Sequence, residues 1–227
     1  MRSLKFIVGL MLLPVLYAAA RALVDIAGMT RPESIRDVSF DTWSLVGGFV
    51  FWLILAFLMR RPIRTYVLGH ELTHALWGTM LGARIRKLRV SAKGGSVQLS
   101  KTNFLITLAP YFFPFYTFLV LVLYGVLLIF FEMNNYRPFW MSLIGLTWGF
   151  HVTFTIAMLL ERQSDILDNG YLFSYVVILL ANILILCVGI VIVGLPALED
   201  LVGSICGHLE SVRVWAFRIL PIEAQPP

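Results

Sequence analysis

Residues 67 to 77 read VLGHELTHALW, two histidines and a glutamate in an otherwise apolar stretch. Histidines four apart on a helix project from one face, so His70 and His74 can reach the same metal ion while Glu71 borders the remaining coordination position. His-Glu-x-x-His is a zinc signature, in which the glutamate takes a proton from a water whose pKa the metal has lowered to about 7. The bland alternative is a pair of packed or hydrogen-bonded histidines. Chance placement gives the pattern only on the order of 10⁻³ to 10⁻² times per sequence.

The surroundings are a membrane protein's. The chain has 227 residues, 59% hydrophobic and 14% charged, with a mean hydropathy of +0.85. Apolar runs predict about six transmembrane helices in an all-α polytopic fold: Phe6 to Leu23, Trp43 to Met59, Thr65 to Ala83, Phe104 to Phe131, Phe139 to Leu160 and Tyr171 to Leu195. The motif falls in the third, where three ionisable residues are costly and by default functional. The first run has a rival reading as a signal peptide, with Arg2 and Lys5 ahead of it and Ala18 to Ala20 as a small-residue cleavage site; a retained helix is favoured. Cys187 and Cys206 read as small buried hydrophobes.

The formal charge of +5 comes from basic residues flanking the runs, ordinary membrane anchoring with no case for nucleic acid. With the N-terminus outside, ten basic residues fall on the cytoplasmic side (Arg21, Arg31, Arg36, Arg84, Arg86, Lys87, Arg89, Lys93, Lys101, Arg162) and eight on the other, too even a division to fix orientation. The whole chain, 1–227, reads as one membrane-embedded domain: N-terminal helices over 1–63, a core over 64–195, and a C-terminal interfacial helix and tail over 196–227.

Between the third and fourth runs, Ile85, Leu88 and Val90, then Gly94-Gly95, then Val97 and Leu99 predict a β-hairpin with a basic strand and an open edge. Pro110 and Pro114 predict a kink or an irregular start to the fourth helix. After Pro196, residues Leu198, Leu201, Val202, Ile205, Leu209 and Val212 share one helical face, as expected of a helix lying on the bilayer.

With the motif inside a span, a glycine-containing exit and an immediate basic hairpin, GHELTHALWGTMLGARIRKLRV resembles the site-2 protease family of intramembrane zinc metalloproteases, in its compact form without a PDZ domain. The resemblance is strong over about residues 65 to 101 and looser to residue 182. It implies hydrolysis of a peptide bond in or beside a transmembrane segment of a membrane-protein substrate, a hairpin that helps to hold an unwound substrate strand, and zinc towards the cytosolic side. The family's third zinc ligand is an aspartate from a later helix, commonly in a Leu-Asp-Gly motif. Here the segment is QSDILDNG, one residue longer at its second aspartate; Asp165 is favoured and Asp168 stands second, with an N-cap of the next helix as the alternative for either.

Glu161, four residues before Asp165, resembles the glutamate ligand of membrane gluzincins, a second enzyme reading. His151, in the fifth run, reads as a ligand, a residue supporting one, or a histidine bonded to a neighbouring helix. Asn182 reads as a hydrogen bond between helices, Trp77 and Trp140 as packing or anchoring, His208 as surface, and Asn103 and Thr107 as possible substrate contacts. A metal-binding membrane regulator without catalysis is the non-enzyme reading; Glu71 argues against it, because a binding-only site needs no base. A transporter is weaker still, since no paired broken helices occur in repeated halves.

Overall fold

In the computed structural model, residues 2–29, 38–59, 62–91, 94–193 and 196–219 are described. Arg31, Arg36 and Lys93 of the charge comparison, Leu195, and the tail from residue 220 lie outside them. The chain is mostly helical and gathers into two compact units, one of residues 1–31 with 169–227 and one of residues 32–168.

The first unit holds α1 (Arg2–Met29), α8 (Tyr171–Val193) and α9 (Leu198–Ile219). Ala18, Ala19 and Ala22 in α1 are fully buried, and Gly9 lies against the Phe173 backbone, so small residues bring the helices together. Two of the alanines that resemble a cleavage site thus serve as packing surface. Ala22, Ile26, Cys187 and Leu201 form one buried cluster. The apolar face of α9 therefore packs through Leu201 and Ile205 onto protein, while Leu198 and Val202 stay exposed. Cys187 is buried as expected, but Cys206 is exposed. His208, expected at the surface, is partly buried: its Nε2 lies 2.7 Å from Asp25 Oδ2, and the Ser204 hydroxyl donates to the same oxygen at 2.6 Å. Asn182 donates to the Ile178 carbonyl of its own helix.

The second unit contains α2 (Phe40–Leu58), α3 (Ile63–Met80), a hairpin of β1 (Ile85–Ser91) and β2 (Gly94–Leu99), α4 (Phe104–Leu108), α5 (Phe115–Phe130), α6 (Arg137–Leu159) and most of α7 (Ser164–Asn169). Its scaffold is the α2–α6 pair. A Cβ on Gly48 would collide with the Ser142 carbonyl, and one on Gly145 with the Leu45 carbonyl, so glycine lets the two backbones touch. The Trp52 indole donates to Thr153 Oγ1 at 2.9 Å, and Arg137 pairs with Asp41 at 2.9 Å. α3 ends in a Schellman arrangement: Gly82 has φ +75°, its N–H bonds the Thr79 carbonyl, and the Ala83 N–H bonds that of Gly78. That turn sends the chain into β1.

The prolines act as expected. α4 and α5 meet at a bend of 83°, with a 3₁₀ turn, Ala109–Tyr111, between them. Asn103 caps α4 by accepting from the Ile106 N–H, and the Thr107 hydroxyl donates to the Asn103 carbonyl, so both residues are engaged locally. Trp77 packs edge-on against Phe112 and Phe113, and Trp140 stacks on Tyr124.

Among the described residues, four helices are long and apolar enough to cross a bilayer (α1, α2, α8, and α6 with its leading turn), and α4 with α5 makes a fifth if the bent pair counts as one span. Six were expected. The remaining one is α3, whose Arg64, His70, Glu71 and His74 make it too polar to qualify on composition alone. Large apolar side chains such as Leu10, Phe57, Leu123 and Ile192 face outward along the apolar helices, as lipid contact requires.

Replacing Gly145 by leucine is expected to destabilise the protein by about 1 to 3 kcal/mol through overpacking, whereas Gly125→Ala, at a position with open space, shifts it by less than about 1 kcal/mol. Thermal unfolding in detergent checks this; an unshifted transition for Gly145→Leu would contradict the close helix contact.

Candidate metal centre

His70 and His74 lie one turn apart on α3, and α7 brings Asp165 to them. His70 Nε2 and His74 Nε2 are 3.2 Å apart, and each lies 3.5 Å from Asp165 Oδ2. Donors about 2.0 to 2.2 Å from a tetrahedral ion stand roughly 3.3 to 3.5 Å from one another, so the triangle has the size a divalent cation needs. Among the described residues it is the one cluster of three or more histidine, cysteine or acidic side chains close enough to share an ion. Glu71 and His74 are buried, while His70 and Asp165 are half-buried.

Each donor is held by a further partner. His74 Nδ1 lies 2.7 Å from the Ile106 carbonyl. That carbonyl is free because the residue four positions on, Pro110, has no N–H with which to continue α4. With its Nδ1 proton given to Ile106, His74 turns the lone pair of Nε2 towards Asp165. A lone pair facing a carboxylate repels it unless a proton or a cation lies between, which is the chemistry of a metal-binding donor set. His70 Nδ1 lies 3.1 Å from the Tyr66 hydroxyl, and Tyr66 stacks on Phe154 of α6 at 4.7 Å, so the α2–α6 scaffold orients the first histidine through two rings. The fully buried Tyr111 donates its hydroxyl to Asp165 Oδ2 at 3.2 Å.

The other candidates are placed differently. Asp168 lies exposed within α7 and Glu161 lies exposed after α6, both outside the donor cluster. His151 shares with His70, Tyr66, Thr73 and Tyr116 a narrow cavity of about 20 Å³, room for roughly one water. It is not part of the donor triangle. Tyr66, Tyr111, Pro110 and the Ile106 carbonyl carry no motif that marks them for this role; the one local hint is the proline-interrupted LAPYFFP, which marks a break without saying what it exposes.

Comparison with models of known protein families, with curated proteins and with solved structures finds no match for this chain.

Tyr111→Phe is expected to weaken metal binding by about tenfold and Pro110→Ala to do so to a similar degree, each by loosening one donor. Competition against a chromogenic chelator measures this; unchanged affinity in both would show that these partners do not support the donors.

Proposed function

We propose that this membrane protein is an intramembrane zinc endopeptidase that hydrolyses a peptide bond in or next to a transmembrane segment of a membrane-protein substrate, as its resemblance to site-2 proteases implies. The observation that carries the reading is the triangle of His70, His74 and Asp165, with Glu71 in the same helix beside the first donor. Two neutral imidazoles and one carboxylate suit zinc and leave a position for water or substrate. When bound, zinc supplies Lewis-acid polarisation of a carbonyl and a water acidic enough to attack at neutral pH. His70, His74 and Asp165 hold the ion, Tyr66, Tyr111 and the Ile106 carbonyl fix their orientation, and Glu71 takes the proton of the attacking water and passes it to the leaving amine.

In this reading α3 is a membrane-embedded helix despite its polarity, because His70 and His74 turn towards each other and Asp165 of α7 while Glu71 turns to the hairpin, and six helices enter the bilayer. The zinc and hairpin lie towards the cytosolic side. Glu161 is exposed and away from the donors, so the gluzincin-like alternative has lost its ligand.

Wild-type protein and the variants Glu71→Gln and His70→Ala, reconstituted in liposomes with transmembrane peptides, test the proposal. Wild type and Glu71→Gln should each hold one zinc per chain, while cleavage in Glu71→Gln falls by about 10² to 10⁴. His70→Ala should lose both zinc and cleavage. Undiminished cleavage in Glu71→Gln would remove Glu71 from its role, and zinc-loaded wild type that cleaves nothing would favour the regulator instead.

A further inference from the structure

The hairpin touches the proposed base directly. Side chains alternate along a strand, so Gly95, Val97 and Leu99 share one face of β2. That face lies along α3. A Cβ on Gly95 would stand 2.5 Å from Glu71 Cγ, 2.8 Å from Glu71 Oε1 and 2.7 Å from Val67 Cγ1. At the other end of the contact, a Cβ on Gly78 would stand 2.7 Å from Leu99 Cδ1. Val67, Glu71 and Gly78 form a single stripe of α3, next to the stripe that carries His70 and His74. One glycine on the strand and one on the helix thus let β2 lie flat on the helix beside the donors.

The contact is polar as well as close. In an antiparallel pair, alternate residues turn their N–H groups away from the partner strand. Val97 pairs with Leu88 across the hairpin, and its backbone N–H bonds the Glu71 carboxylate. Glu71 is buried, so this amide takes the place of solvent at the carboxylate.

We propose that β2 is the positioning element of the base: the missing side chain of Gly95 makes the space in which Glu71 lies, the Val97 amide fixes its carboxylate, and Glu71 is aligned only while the hairpin is seated on α3. The inference rests on the protease reading and adds a regulation to it, because whatever seats or lifts the hairpin also sets or frees the base. Gly95 and Val97 act through Glu71 and do not themselves touch substrate in this role.

Zinc-loaded wild type, Gly95→Ala, Gly95→Val and the exposed Ser96→Ala, reconstituted in liposomes with a transmembrane peptide, provide the test. A displacement of the base by about 1 Å costs on the order of 10²-fold in rate. The expected result is a graded loss of kcat, about tenfold in Gly95→Ala and about 100-fold in Gly95→Val, with KM within about twofold and one zinc per chain; Ser96→Ala should match wild type. Hydrogen–deuterium exchange at the Val97 amide supplies a readout that needs neither zinc nor substrate: Glu71→Ala and Gly95→Val should each speed it by about tenfold or more, while Glu71→Gln, which keeps an acceptor, should not. Wild-type kcat in Gly95→Val, loss of zinc in step with kcat, or Val97 exchange indifferent to Glu71→Ala would each overturn the positioning role alone. A wild-type chain that neither holds zinc nor cleaves would overturn the protease reading and this role with it.

Discussion

Polar side chains can meet inside an apolar helical layer only if every donor and acceptor among them is satisfied, because an unpaired one costs about 1 to 3 kcal/mol and an unpaired charge more. His70, His74 and Asp165 meet that requirement with three outside partners, the Tyr66 hydroxyl, the Ile106 carbonyl and the Tyr111 hydroxyl. At the centre of the triangle the Nε2 atoms of both histidines and the Asp165 Oδ2 converge on one point. Much of the surrounding chain follows from supplying those partners. α4 must stop where it does so that Ile106 has a carbonyl to give, and the 83° bend before α5 is the visible consequence.

The rigid part of the second unit serves the same end. Gly48 and Gly145 bring α2 and α6 into backbone contact, which fixes Phe154, and Phe154 stacks on the tyrosine that orients His70. On the other face of α3, Gly95 and Gly78 bring the hairpin against Glu71. The helix that carries the motif is thus held from two sides by glycine contacts, in keeping with a setting where close packing rather than water exclusion drives helices together.

Much of this was legible in the sequence. The apolar runs located the long helices, Gly94-Gly95 located the hairpin, and the His-Glu-x-x-His spacing with QSDILDNG named three residues that the fold brings together. Asp165 and Asp168 differ by three positions on one short helix, so local sequence leaves both open and only the packing of α7 decides which one turns inward. The supporting tyrosines could not be read at all, because Tyr66 and Tyr111 resemble any aromatic residue in a membrane helix until their partners are known. The partner of His208 could not be read for the same reason: Asp25 lies 183 residues away. Length and hydropathy count four or five spans rather than six because the residues that make the site also make α3 too polar to be counted.

X-ray absorption at the zinc edge of the purified, zinc-replete protein measures the central claim most directly. The account predicts one zinc per chain bound by two imidazole nitrogens at about 2.0 to 2.1 Å and by carboxylate and water oxygens at about 2.0 to 2.2 Å, with one oxygen contribution lost in Asp165→Ala. A chain that stays metal-free under those conditions, or a zinc shell that is the same in Asp165→Ala as in wild type, would contradict it.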